Sequence, residues 1–485
     1  MKRKTLLINC LLVIVFMLSS IVSCTSQEKE IPITSSSKEA IKIFKEGRFI
    51  SENFEFDKAI EKYDEALKLD PDFALAYLYK AIDVDVYNER ISNIEKAVNL
   101  VDKVSEGEKA LILLYKAFYE SNEGVMWTKL DRLLELYPKD KRVNLLAGGL
   151  NYNWQRYDEA IPYYEKVLEI DDQFPPVFNL MGYVNMRLEQ FDESEKYFKK
   201  YIEILPNNAN PYDSYADFLL SQDRYDESIK YYKMALDKDE TFNVSLRRIG
   251  NIHILKEDYE KARDAFKKYY DVSSTLGSKF IALINIANTY LYEGNKEKAL
   301  NTFEDYKKLA QKNESPYNEV LANSFQGYIY ACCENPDKGL EYYDQALKII
   351  ENSELIEAEK NELRLRASIL RSHAFIEFND FDKSKEELNK CKNLAAKLEN
   401  TFFNAWVDLT LAYNEIGQNN VEQALNILES ITVDNPLKNY YLGLAYEKEG
   451  DMENAKKYFS EILNSKESSI NLAMYYKRVK EKLQK

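Results

Sequence analysis

The chain has 485 residues, 66 Lys+Arg against 81 Asp+Glu, a formal net charge of −15 and two histidines. That acidic balance argues against nucleic-acid binding, which rests on cationic contacts to phosphate, and against broad adsorption to anionic lipid. Two isolated histidines argue against a histidine-based metal site or catalytic triad.

The chain opens with Lys2, Arg3 and Lys4, followed by an apolar run from Leu6 to Val22 interrupted only by Asn9 and two serines. A basic start, an apolar middle and a small-residue exit predict a secretory signal over residues 1–23. The run is at the short limit for spanning a bilayer, so an uncleaved membrane anchor is the alternative reading. The exit, Ile21-Val22-Ser23-Cys24, resembles the bacterial lipoprotein box. That resemblance implies lipidation of Cys24, a place in the bacterial cell envelope and, with Thr25 following the cysteine, sorting to the outer membrane. Both readings export the chain and tether it to a membrane. Without residues 1–23 the balance is 63 basic against 81 acidic side chains, a net of −18. Residues 24–37 are polar, lack helical period and are expected to form a flexible tether.

From Lys38 onward one phrase repeats. Tyr157, Phe191, Tyr225 and Tyr259 stand 34 residues apart, each opening a similar stretch. Within the first stretch, Ala160, Tyr164, Val167 and Leu168 fall on one face of a helix, and a second helical segment lies about a dozen residues upstream. Small residues recur twelve apart: Gly47 and Ala59, Gly148 and Ala160, Gly182 and Ser194, Ala216 and Ser228, Gly250 and Ala262. The series continues through Ala287 and Ala299, Gly327 and Gly339, Ser372 and Ser384, Ala412 and Ala424, Gly443 and Ala455. Such pairs allow two antiparallel helices to approach closely. An aromatic often stands four after the second small residue, as at Tyr63, Tyr164, Phe198, Tyr232 and Phe266.

This pattern resembles the tetratricopeptide repeat (TPR) family. The resemblance implies an all-α, superhelical solenoid of helix-turn-helix units, each touching mainly its neighbours. Ten units are clear. Residues 38–275 read as units of about 34 residues, two of them degenerate, around Ala74–Leu100 and Lys109–Pro138. In residues 276–466 the first small sites stand 37, 40, 45, 40 and 31 apart, counting from Gly250, which predicts extended helices or longer turns. Residues 467–485 are expected to form a C-terminal capping helix.

The search for chemistry gives no catalytic residues, no metal ligands and no cofactor, and no segment outside the repeats is long enough for a catalytic domain. Acidic pairs such as Asp158-Glu159 and Asp192-Glu193 open second helices, where they complement the helix dipole. Cys391 occupies a packing position and reads as a small hydrophobe.

The resemblance places a ligand in a groove lined by the first helices. The expected peptide-binding residues are Asn179, Tyr183, Asp213, Asp217, Arg247, Asn251, Asn285, Asn288, Tyr328 and Tyr413. Arg247, Asn251 and Asn285 resemble part of the carboxylate clamp of chaperone-binding TPR proteins, although Leu321 and Phe325 stand where further basic residues would complete it. The chain therefore reads as a non-enzymatic, membrane-tethered scaffold that binds a protein or peptide partner, with a role in envelope assembly. The alternative is a nutrient-binding (glycan-binding) outer-membrane lipoprotein, but such proteins carry long non-repeat loops that this chain lacks.

Overall fold

The computed structural model describes residues 30–84, 87–120, 122–333, 335–397, 401–432, 435–465 and 469–484. The signal segment 1–23 and Cys24 lie outside them. Among the described residues no helix is long and apolar enough to cross a membrane.

The chain divides into two compact units, Met1–Asp239 and Glu240–Lys485. The first contains α1 (Lys38–Glu52), α2 (Phe56–Leu69), α3 (Ala74–Asp83), α4 (Tyr87–Val98), α5 (Glu106–Tyr119), α6 (Glu123–Leu136), α7 (Lys141–Asn153), α8 (Tyr157–Ile170), α9 (Pro175–Arg187), α10 (Phe191–Ile204), α11 (Asn210–Ser221) and α12 (Tyr225–Lys238). The second contains α13 (Val244–Leu255), α14 (Tyr259–Val272), α15 (Leu276–Tyr292), α16 (Lys296–Lys312), α17 (Pro316–Cys333), α18 (Pro336–Asn352), α19 (Glu357–Glu377), α20 (Phe381–Lys397), α21 (Thr401–Gly417), α22 (Val421–Ser430), α23 (Pro436–Glu449), α24 (Met452–Leu463) and α25 (Ile470–Leu483). Odd-numbered helices up to α23 are the first members (A) of antiparallel pairs and even-numbered ones the second (B). The two degenerate repeats are complete helix pairs, α3/α4 and α5/α6. The compact units part at 239/240, one pair before the spacing changes, so the expected division at 275/276 is a change of helix length and not of compactness.

The glycines of the first small site explain the packing of the pairs that carry them. A Cβ on Gly148 would lie 2.3 Å from the Tyr164 ring, one on Gly182 2.6 Å from Phe198, one on Gly250 2.4 Å from Phe266 and one on Gly443 2.4 Å from Phe459. Each ring stands sixteen residues after its glycine and fills the notch the missing side chain leaves. Glycine inside a helix costs roughly 0.5–1 kcal/mol against alanine, and the buried ring offsets that cost. At the second small site, Ser194 and Ser228 donate from Oγ to the carbonyls of Gly182 and Ala216, both at 2.8 Å, tying B to A through backbone.

The turn within the pair is equally regular. Two residues before a B helix the backbone is left-handed at Phe54, Gln155, Glu189, Asp223, Glu257, Asn379 and Asn419; among the described residues only Gly294 and Gly450 fill this place with glycine. A Schellman-type closure accompanies it, as where Arg156 N–H donates to the Asn151 carbonyl at 2.9 Å.

The longer spacing in the second unit comes from longer helices. From α15 to α21 the lengths are 17, 17, 18, 17, 21, 17 and 17 residues, against 14 or 13 for α7 to α10.

Gly182→Leu should drive a side chain into the Phe198 ring and destabilise the α9/α10 pair by roughly 1–3 kcal/mol or more. Hydrogen exchange should accelerate first in α7 to α12; an equal change along the whole chain would contradict this placement of Gly182.

Candidate binding faces and their occupants

In the first unit the A-helix face is occupied by the chain itself. The flexible tether expected over residues 24–37 is, from Glu30 on, a docked extended segment. Ile31 N–H donates to Asp140 Oδ2 at 2.8 Å, Thr34 N–H to Glu108 Oε1 at 2.7 Å and Ser36 N–H to Asp70 Oδ2 at 2.8 Å. Thr34 Oγ1 adds a bond to Glu108 Oε2 at 2.6 Å. Asp140 and Glu108 sit at the starts of α7 and α5 and Asp70 is the C-cap of α2, in the turn before α3, so the segment crosses three repeats against their order. The match has a simple geometric cause. An extended chain advances about 3.3 Å per residue, so the three residues from Ile31 to Thr34 span about 10 Å, close to the separation of packed helices.

The carboxylates are held in place by their local structure. Asp140 is the N-cap of α7, accepting from the amides of Arg142 and Val143. Glu108 closes a capping box with Ser105 at the start of α5 and is fully buried. At Asp70, burial opposes ionisation, but the Ser35 hydroxyl and the backbone N–H groups of Ser36 and Asp72 outweigh it and hold the carboxyl below its usual range. Behind the segment lies a cavity of about 60 Å³ lined by Ile31, Arg48, Tyr79, Tyr115, Arg142 and Leu146, among others. Arg142 closes one side of it with a two-pronged pair to Glu52, Nε–Oε1 2.5 Å and Nη2–Oε2 3.2 Å.

Further along the first unit, Tyr183 on α9 donates to Asp217 Oδ2 on α11 at 3.0 Å, and Tyr232 on α12 donates to Asp217 Oδ1. Asn179 and Asp213 are buried, and the Asn179 amide oxygen has no hydrogen-bond partner. Of the four groove residues expected here, Tyr183 and Asp217 are joined to each other, while Asn179 and Asp213 are packed away from solvent.

The second unit also fills its A-helix face from within. The helix expected over 467–485 as a cap is α25. It packs on α23 and α24 as a cap would, and it also lies against α15. Tyr475 stacks on Tyr440 with centroids 4.1 Å apart and meets Tyr328 OH at 3.0 Å and His373 Nε2 at 3.0 Å. Arg478 donates to the Cys332 carbonyl. At the far end Tyr476 and Lys480 both donate to Glu257, at 3.0 and 2.7 Å. One helix thus reaches the faces of α15, α17, α19 and α23 and the turn after α13.

This overturns the expectation that Tyr328 and Tyr413 line an open groove. Tyr328 is buried under α25. Tyr413 is sandwiched between His373 and Tyr441, both 4.7 Å away, and donates to Glu377 Oε1 at 2.7 Å. The clamp resemblance also fails in its third element, because Phe325 packs on Phe303 at 5.0 Å. Asn285 and Asn288 are buried, whereas Arg247 and Asn251 are half-buried on α13.

The core of this site is a polar cluster. Cys332 Sγ lies 3.8 Å from His373 Nδ1, and Glu377 Oε1 lies 4.0 Å from the same nitrogen. His373 Nε2 faces Tyr441 OH at 3.1 Å. Burial, with help from the Arg478 charge, pushes the His373 pKa down to about 3, and burial raises that of Glu377. The sequence reading found no such cluster, since Cys332 and His373 are 41 residues apart; the readable signal was His373 and Glu377 at i, i+4.

A tetratricopeptide repeat family profile matches residues 142–174, 175–208, 281–313 and 439–469. These segments coincide with the pairs α7/α8, α9/α10, α15/α16 and α23/α24. The chain contains tetratricopeptide repeats. Among curated proteins it is similar to anaphase-promoting complex subunit 3 of Schizosaccharomyces pombe, with 28% identity over 169 residues. That match takes in 35% of this chain and 22% of the relative, so the TPR chain spans about a fifth of the length of the curated relative it matches. Among solved structures, yeast Tom70 aligns over 86% of this chain and 96% of its own at 15% identity and a TM-score of 0.44. A TPR protein of Parabacteroides merdae aligns over 57% and 97% at 16% identity and a TM-score of 0.36. YrrB, described as a TPR protein with an unusual peptide-binding site, aligns over 38% and 91% at 19% identity and a TM-score of 0.28.

Glu108→Ala should free residues 30–36, since it removes the acceptor of two Thr34 bonds and leaves a part-buried N–H unpaired, a loss of roughly 1–3 kcal/mol. Amide exchange at Thr34 should rise at least tenfold. Unchanged protection there would show that the segment is held by something other than these carboxylates.

Proposed function

We propose that this TPR protein is a non-enzymatic scaffold, exported and lipid-anchored through Cys24, that holds an extended peptide segment of an envelope partner on the A-helix face of its first unit. The observation that carries the reading is the docking of Ile31–Ser36. A stretch of main chain lies across three repeats with N–H groups accepted at Asp140, Glu108 and Asp70, as a bound peptide would lie. Carboxylates that accept backbone N–H recognise the extended main chain itself, and pockets such as that around Ile31 select side chains. The location rests on the basic start, the apolar run and the Ile-Val-Ser-Cys exit. Lipid at Cys24 would leave only the residues up to Lys29 between the membrane and the docked segment.

Two experiments test the two halves of the reading. Cys24→Ala should abolish labelling by a palmitate analogue and release the chain from the membrane fraction; persistent labelling would refute lipidation at this residue. For the face, a chain lacking residues 1–36 should bind a synthetic peptide of sequence EIPITSS, and Glu108→Ala should weaken that binding at least tenfold. Equal affinity for a scrambled peptide, or no binding, would contradict a peptide-holding face.

A further inference from the structure

The cluster under α25 has the composition and spacing of a metal site. Cys332, His373 and Glu377 each present one donor atom, and the three atoms lie within 4.8 Å of one another. They come from two adjacent A helices, α17 and α19, with His373 and Glu377 one turn apart on the same face. We propose that Cys332 Sγ, His373 Nδ1 and Glu377 Oε1 bind a thiophilic divalent cation of the zinc class, which locks α25 onto the A-helix face of the second unit.

The distances suit such an ion after a small contraction. Zinc bonds of about 2.3 Å to sulfur and about 2.0–2.2 Å to nitrogen and oxygen, in a tetrahedral arrangement, put sulfur and nitrogen about 3.6 Å apart and nitrogen and oxygen about 3.4 Å apart. The corresponding separations here are 3.8 Å and 4.0 Å. A rotamer adjustment of Glu377 supplies most of the difference. Sulfur, imidazole and carboxylate together suit zinc and the transition ions beside it, and not magnesium or calcium, which take oxygen alone.

The surroundings complete what the three donors need. His373 Nε2 faces Tyr441 OH at 3.1 Å and Tyr475 OH at 3.0 Å, so an Nε2–H tautomer donates to a phenol and leaves the Nδ1 lone pair directed at the other two donors. Tyr413 donates to Glu377 Oε1 and keeps the carboxylate on this side of the cluster. Binding releases the Cys332 proton, and thiolate, carboxylate and dication then sum to zero charge. A neutral site adds no net charge beside the Arg478 guanidinium, which donates to the Cys332 carbonyl. Since Tyr475 belongs to α25, an ion on His373 polarises the hydrogen bond that holds this helix.

Cobalt reports the site, because thiolate ligation gives a charge-transfer band and tetrahedral geometry gives strong ligand-field bands. The full chain, refolded from denaturant with excess Co2+ and desalted, should retain one ion per chain and show both features, and Zn2+ should erase them. Cys332→Ser should remove the charge-transfer band, while Cys333→Ser and Cys391→Ser keep it. Glu377→Gln keeps an acceptor for Tyr413 and should fold; it should lower cobalt affinity at least tenfold with the melting temperature of the metal-free chain nearly unchanged. Loading the unaltered chain with Zn2+ should raise its melting temperature and slow amide exchange in α25. The site is overturned if the natively refolded chain retains no cobalt, if the band survives Cys332→Ser or is lost with Cys333→Ser or Cys391→Ser, or if Glu377→Gln binds as tightly as the unaltered chain.

Discussion

The helix pairs that carry glycine at the first small site depend on one contact: an aromatic ring on the B helix lying against bare backbone on the A helix. Tyr164 on Gly148, Phe198 on Gly182, Phe266 on Gly250 and Phe459 on Gly443 are the same contact in four places. The ring brings a large buried apolar area, and the glycine lets the helix axes approach closely enough for the ring to be covered on both sides. Where the first small residue is alanine, as at Ala216 and Ala287, the rings of Tyr232 and Phe303 are still fully buried. Because the contact is local, it tolerates the lengthening of α15 to α21 without change of plan. The added turns extend the helices away from the crossing.

A face built by stacking such pairs carries polar groups, and in both units part of it is satisfied from within the chain. The first unit takes an extended segment and the second takes a helix. The two occupants differ in strength. Residues 30–36 are held mostly by hydrogen bonds to three carboxylates, each of which can accept from another main chain. The helix α25 contributes Leu472, Ala473, Tyr475 and Val479 to the buried core of the second unit, so it belongs to the fold.

The repeat was legible because periodicity is a local property. Small residues twelve apart and rings four further on state the pair geometry directly, and the longer spacing after Gly250 states the longer helices. The occupants were not legible in the same way. Ile31 meets a carboxylate 109 residues away and Tyr475 meets a phenol 147 residues away, and no period carries such information. The groove residues named from the TPR resemblance lie on A helices, yet Asn179, Asp213, Asn285, Asn288 and Tyr328 are buried, and over Tyr328 the cover is α25. Two features left a trace that was not used. The spacing Ser105-x-x-Glu108 marks a capping glutamate, and His373-x-x-x-Glu377 places two donors one helical turn apart. Among the left-handed turn residues, Phe54, Gln155 and Glu189 left none, since they are not the types that favour that conformation.

The ring-in-notch contact is tested most directly by a double-mutant cycle at Gly148 and Tyr164. Gly148→Ala, Tyr164→Leu and the double variant would be compared by denaturant unfolding, with local exchange in α7 and α8 to separate this pair from its neighbours. The account predicts strong coupling: alanine at 148 should destabilise the pair while the ring is present and be neutral or stabilising once Tyr164→Leu has removed the ring, a coupling energy of about 1 kcal/mol or more. Additive effects, with alanine costing the same in both backgrounds, would contradict the claim that the ring is the reason for the glycine.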